Sequence, residues 1–150
     1  MKKANNGLYH ELILQHNKRP LHYRKWPEAP VQLMAYNRLC GDQFKLYLSV
    51  EKGEIREASF HGYGCAISKA ATSILVDLLI GKSLKEADKI CAAYLEIVEG
   101  KNLAKETKYP AFEAFAAARD YPSRKKCASL SGEVLQQFLQ ETINTDSSPE

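Results

Sequence analysis

No two cysteines of this 150-residue sequence form a CxxC pair; the four stand at positions 40, 65, 91 and 127. A closed structural zinc knuckle of the paired type is thereby excluded. Long hydrophobic runs are missing too, since no segment approaches the roughly 20 apolar residues that cross a bilayer. The basic opening MKKANNGLYHELIL is interrupted by His10 and Glu11 and is followed by no small-residue cleavage site, unlike a secretory signal. These absences make a cytoplasmic protein the expectation, with its thiols reduced rather than bridged. Charge of one sign is also lacking. Lys and Arg number 21 against 18 Asp and Glu, a net charge of +3, and the cations gather only in short clusters at 16–19, 24–25 and 124–126. Binders of nucleic acid concentrate such residues on one face, so neither nucleic acid nor a membrane is expected as a partner.

What is present is an ordinary globular composition, 45% hydrophobic and 26% charged. Such a chain can bury roughly 70% of its unfolded surface in one domain. Apolar residues at 8, 9, 12 and 13 predict a short amphipathic helix over 8–15. Pro20, Pro27 and Pro30 mark 18–31 as an irregular connection. Three strands follow, over 32–39, 44–51 and 55–62. In the second, Phe44, Leu46, Leu48 and Val50 alternate with Lys45, Tyr47, Ser49 and Glu51, the period of a half-buried strand. Lys52-Gly53-Glu54 turns it into the third as an antiparallel hairpin, and Cys40-Gly41-Asp42 fills the turn between the first and second. From Ala66 the period becomes helical, with an apolar stripe from Ile67 to Leu79 that Gly81 ends. Ser83 and Glu86 form a capping box for a helix to about Val98. A hinge over 99–108 leads to a short helix over 112–118, halted before Pro122. A last helix, capped by Ser123, carries the stripe Cys127, Leu130, Val134, Leu135, Phe138 and Leu139. The polar tail from Asn144 is expected to be disordered. This leaves one α+β domain over 1–143, a three-stranded antiparallel sheet with helices packed on one side.

The cysteines divide by context. Cys91 is in phase with an apolar helix face, where an unbridged cysteine is ordinary core. Cys65 follows Gly62 and Gly64 at a strand-to-helix corner, and its sulfur would face unsatisfied N–H groups of the helix start. Cys127 comes after Arg124, Lys125 and Lys126, cations placed where the helix dipole disfavours them unless an anionic centre is near. Cys40 has a carboxylate, Asp42, two residues on. If the sheet corner and two helix starts converge, Cys40, Asp42, Cys65 and Cys127 make three thiolates and a carboxylate, a tetrahedral set suited to Zn2+. Arg124 and Lys126 would then offset its negative charge from outside the ligand set. Scattered ligands with one weak carboxylate suit a site where a thiol leaves and reacts. His61, on a strand of mixed polarity, is read as surface rather than ligand.

The stretches LYHELILQHNKRP (8–20), NRLCGD (37–42), GYGCAIS (62–68) and RKKCASL (124–130) resemble, in this order, the U-type iron–sulfur cluster assembly proteins, the family of IscU, SufU and the NifU N-terminal domain. Lys126 stands where the IscU branch has histidine, and the segment 101–122 resembles the SufU insertion, so the sequence is more similar to the SufU type. The resemblance implies an IscU/SufU-like fold and a zinc site made by Cys40, Asp42, Cys65 and Cys127. It further implies a zinc-dependent sulfurtransferase that accepts persulfide sulfur from a SufS-like cysteine desulfurase and passes it to downstream iron–sulfur assembly machinery. Cys40 would leave the metal on docking and act as the attacking thiolate, which is thiol exchange. The alternative within the family is a scaffold that assembles and transfers a [2Fe-2S] cluster on the same residues. A third reading is a metal-binding module without chemistry. Arg38, Tyr63 and Gly132 depart from the family pattern, the first two where a partner should dock.

Overall fold

The alternation over 44–51 builds the middle of a three-stranded antiparallel sheet in a computed structural model that describes residues 10–39, 41–100 and 109–146. Its strands are β1 (Val31–Asn37), β2 (Asp42–Glu51) and β3 (Glu54–Tyr63), ordered β1-β2-β3. Phe44, Leu46 and Leu48 of β2 sit with Ala35 of β1 and Phe60 of β3 in the core. The hairpin turn works because Lys52 and Gly53 both take positive φ, 53° and 76°, matching the right-handed twist of the flanking strands. Asp42 is the first residue of β2, paired with Asn37, rather than part of the turn. That pairing lengthens the strand by two residues and fixes the Asp42 side chain on the Phe44 side of the sheet.

The outer face is not left to water. The connection between the first helix and β1 lies first along the β3 edge, where Arg24 N–H donates to the Phe60 carbonyl at 2.9 Å and Phe60 N–H to that of His22 at 3.0 Å. It ends on the opposite edge at Val31, so it crosses the sheet, and the outward-facing Tyr47, Ser49 and Ser59 are buried.

The helices occupy the other face. α1 (Glu11–Lys18) runs three residues past the predicted end, while positions 8 and 9 lie outside the described residues. Ser73 docks it: its Oγ lies 2.7 Å from His16 Nδ1 and accepts the Leu21 N–H at 2.8 Å. α2 (Ala66–Leu79) is buried nearly all round, as Ala70, Ala71, Thr72 and Ser73 allow close neighbours on its polar-looking side. α3 (Leu84–Glu99) opens as predicted, Ser83 Oγ accepting the Glu86 N–H at 3.1 Å, and closes on Gly100 at φ 85°.

Two further elements differ from the sequence expectation. Pro110–Asp120 is a 3₁₀ helix. Phe112, Phe115 and Ala118 are buried at a spacing of three, which eclipses side chains in a three-residue turn, and Ala114 is buried beside them. Both phenyl rings meet the Tyr94 ring edge to face, at 5.1 and 5.5 Å between centroids. α4 (Pro122–Asp146) starts one residue before Ser123. Pro122 takes the first position, where its missing N–H is no loss, and the Tyr121 carbonyl accepts from Lys125 N–H at 2.9 Å. Ser123 is therefore inside the first turn and not its cap. The helix also continues through 144–146, residues assigned to the tail; 147–150 lie outside the described residues.

Gly132, a departure from the family pattern, is explained by packing. A Cβ there would meet Leu95 Cδ2 and Tyr94 Cδ2 at 3.2 Å each and Leu75 Cδ1 at 3.6 Å. Gly132→Val is expected to lower unfolding free energy by about 1–3 kcal/mol through overpacking between α2, α3 and α4. Urea unfolding followed by far-UV circular dichroism measures this, and a variant as stable as the parent would contradict it.

Candidate metal centre

Strand β3 ends at Tyr63, and the chain must turn at once into α2. Gly62 adopts φ 145°, where a side chain would collide with the Gln43 carbonyl. Gly64 faces a different demand. A Cβ there would lie 2.6 Å from Ser68 Oγ, 2.8 Å from Asp42 Oδ1 and 2.9 Å from Phe44 Cε2. The two glycines thus let the corner press against the end of β2, which brings Cys65 N–H to Asp42 Oδ1 at 3.0 Å.

Cys65 is the N-cap of α2, and its Sγ accepts the Ser68 N–H at 3.5 Å. Ser68 Oγ lies 3.7 Å from the same sulfur and donates to the Cys65 carbonyl at 3.1 Å. Ser68 was not singled out in the sequence reading, although its place three residues after a helix N-cap is the spacing at which N-cap side chains bond.

Asp42, Cys65 and Cys127 converge as expected, their ligand atoms within 4.8 Å of one another. Asp42 and Cys127 are buried and Cys65 is half-buried. Cys40 lies outside the described residues. Cys127 arrives differently from the sequence reading. It is a turn and a half into α4, past the unsatisfied N–H groups of the helix start, and is held there by neighbours. The Tyr94 hydroxyl donates to the Ala128 carbonyl at 2.6 Å, and Ser131 Oγ lies 2.6 Å from Thr72 Oγ1. Of the cations, Lys125 pairs with Glu99 at 3.2 Å. Arg124 is half-buried, and Lys126 is exposed along a groove shared with Glu99, Arg119 and Glu133. His61 points to the outer face and stacks on Tyr23, ring centroids 4.7 Å apart.

One further atom bears on what the site holds. Asp42 Oδ2 is buried and has no hydrogen-bond partner among the described residues. A buried carboxylate oxygen without donor or cation is costly, and two cysteine sulfurs beside it supply the other donors that zinc takes. The residues present therefore fit a divalent metal.

Cys91 lies apart in the core. Burial first, and Asp88 second, push its thiol from an ordinary 9.0 up to about 12, and burial raises the Tyr94 hydroxyl as well. Both groups are neutral when folded.

Residues 8–128 match the family model described as the NifU-like N-terminal domain. The chain is 30% identical over 139 residues to the iron–sulfur cluster assembly scaffold protein IscU of Streptococcus pyogenes serotype M1, covering 93% of this chain and 87% of that protein. To the zinc-dependent sulfurtransferase SufU of Bacillus subtilis it is 29% identical, covering 86% and 87%. Among solved structures, a SufU described as a scaffold of the SUF system, from Fervidobacterium islandicum, aligns with a TM-score of 0.80 at 30% identity, covering 88% and 96%. An N-terminal NifU-like protein from Brucella abortus shares the fold, with a TM-score of 0.80 at 18% identity and coverage of 94% and 97%.

Gly64→Ala is expected to displace Asp42 and weaken binding of Zn2+ at least tenfold, read by competition with a chromophoric chelator; unchanged affinity would contradict the close fit at the corner. Stability should be full below about pH 9 and decline as pH rises toward 12, because the unfolded chain releases the Cys91 proton over a range in which the folded chain keeps it. Urea midpoints from pH 7 to 10.5 test the trend, with Cys91→Ala flattening it.

Proposed function

Because the chain belongs to the NifU-like N-terminal domain family, whose named relatives are iron–sulfur cluster assembly proteins, we propose that it works in that assembly as a zinc-dependent sulfur acceptor for a cysteine desulfurase of the SufS type. The observation that supports the metal-dependent part is the convergence of Asp42, Cys65 and Cys127, together with an Asp42 Oδ2 that is buried and has no partner among the described residues. Cys40 is assigned as the fourth ligand, from its place beside Gly41 and Asp42 in the turn leading into β2. Bound zinc would keep the thiolates of the set deprotonated at neutral pH.

The sulfur step belongs to the chain's own thiolate. Cys40 Sγ attacks the terminal sulfur of the desulfurase's cysteine persulfide; a new S–S bond forms on Cys40 as the partner's S–S bond breaks and its cysteine departs as thiolate. No electrons are gained or lost overall. Asp42 and Cys127 are buried and fixed by neighbouring elements, which suits ligands that stay. Sulfur held on Cys40 then passes to downstream assembly partners by the same exchange.

The choice between sulfur transfer and cluster building turns on the residue before Cys127. Lys126 is exposed along the groove with Glu99 and Glu133, and a lysine ammonium is a poor ligand at neutral pH. Similarity to IscU proteins called scaffolds, at 30% and 31% identity, favours the second reading, a [2Fe-2S] cluster assembled on the same thiols and handed on.

Protein purified without oxygen is expected to contain one zinc per chain, and its addition should strongly raise desulfurase turnover. Cys40→Ala should abolish that stimulation. A Cys40→Ala chain that still stimulates would overturn the role of Cys40. Anaerobic reconstitution of a coloured cluster that transfers intact to an apo-acceptor would put the scaffold reading first.

A further inference from the structure

Asn37 ends β1 directly opposite Asp42 in the sheet register, on the same core-side face. Directly paired side chains of an antiparallel sheet are neighbours. Three of the four hydrogen-bonding groups it brings to this corner can be followed. Its side-chain Oδ1 accepts the Leu39 N–H at 3.1 Å, and its carbonyl accepts the Gly41 N–H at 2.8 Å. The two bonds grip the turn on either side of position 40, an Asx-type closure of a short loop. The amide Nδ2 is different: buried, and without a partner among the described residues. Asp42 Oδ2, on the paired residue, is in the same condition.

The two orphan atoms are of opposite type. A cation meets the need of the carboxylate oxygen but not that of an N–H donor, which needs an acceptor. A metal bound by thiolates provides both, because each coordinated sulfur remains an anionic acceptor. Resting on the metal-binding reading above, we propose that Asn37 is a positioning residue of the centre. Its Oδ1 and carbonyl hold the turn that carries Cys40, while its Nδ2–H2 donates a hydrogen bond to a metal-bound thiolate sulfur. Outer partners of this kind orient ligands and tune their donor strength. Neither role needs Asn37 to touch the metal.

The two roles separate by substitution. Asn37→Ser keeps a short acceptor for the Leu39 N–H and removes the Nδ2 donor; Asn37→Ala removes both. With Co2+ as the probe, losing a hydrogen bond to sulfur raises the energy of the sulfur lone pairs. The thiolate-to-cobalt charge-transfer band of Asn37→Ser should therefore move to longer wavelength. Its Zn2+ affinity, by chelator competition, should fall about 10-fold to 100-fold, with the metal-free urea midpoint near that of the parent. Asn37→Ala should add a loss of metal-free stability. Should Asn37→Ser not fold, the side-chain amide resonances of Asn37 in the parent carry the test: they should shift on Zn2+ binding, and an unchanged pair would overturn the donor role. A band and affinity unchanged in Asn37→Ser while the parent binds both ions would overturn the role of Asn37 alone. Affinity lost only in proportion to metal-free stability would overturn it too, leaving a structural asparagine. A parent chain that takes up neither Co2+ nor Zn2+ would overturn this inference together with the metal centre.

Discussion

One hydrogen bond joins the two halves of the molecule at its chemical end: the Asp42 carboxylate, at the start of β2, accepts the Cys65 amide, at the start of α2. A bond from backbone N–H to a charged acceptor contributes about 1.5–3 kcal/mol, and this one has consequences beyond its energy. It requires the β3–α2 corner to lie against the end of β2, so Gly64 has no room for a side chain. It engages Oδ1 of the carboxylate, while Oδ2 stays buried with no hydrogen-bond partner among the described residues. It also directs the first turn of α2 so that Ser68 can bond back to Cys65. Loss of the Asp42 side chain would therefore remove one candidate ligand and the brace that places another.

The third donor depends on a separate construction. Cys127 is carried by α4, which packs mainly on α3 and α2 and also touches β1. The Tyr94 hydroxyl to Ala128 bond and the Thr72–Ser131 pair tie α4 to both neighbours within a turn of Cys127. Gly132 lets the helices approach nearly a turn and a half farther along α4, where a Cβ would meet Leu95 and Tyr94 at 3.2 Å. The centre is thus the meeting point of a hairpin end and a helix bundle, and its geometry reports on how the two pack.

Much of this was legible in the sequence because it depends on short-range periodicity. The alternation from Phe44 to Val50, the Ser83 cap and the apolar stripe of α2 each specify an element by local rules, and each is found; of the Ser83 and Glu86 box, the bond from Glu86 N–H to Ser83 Oγ is present. The grouping of Asp42, Cys65 and Cys127 was legible through spacing and resemblance. What was misread depended on tertiary context. Asp42 looked like a turn residue because Gly-Asp favours turns, yet pairing with Asn37 draws it into β2. Cys127 looked like a helix-start thiol because Ser123 is a good cap, yet Pro122 takes the first position and moves the start back. The segment 110–120 is apolar at most positions and so shows no clear period; the 3₁₀ spacing becomes visible only once Phe112 and Phe115 meet Tyr94. Ser68 and Asn37 carry no distinctive composition; their roles follow only from which polar atoms are paired and which are not.

Burial also divides the ligands by what they can do. Asp42 and Cys127 are sealed on the core side, so neither can be approached by another protein without unfolding its surroundings. Cys65 is half-buried, and its sulfur is already engaged by Ser68. Approach is left to the turn between β1 and β2, where Leu39 is 86% exposed, and to neighbouring Tyr36 and Tyr63 at the same end of the sheet. Under the proposed function, a reactive thiol is therefore expected from that turn and not from the surroundings of Asp42 or Cys127. A thiol that must be shielded until a partner arrives and then reach into that partner is best placed on such a turn, with the remaining ligands anchored in rigid elements behind it. Asn37 bears on the same turn, where its Oδ1 and carbonyl accept from Leu39 and Gly41. Such bonds contribute about 0.5–1.5 kcal/mol each, so under the proposed function the turn is held by interactions small enough for a docking partner to replace.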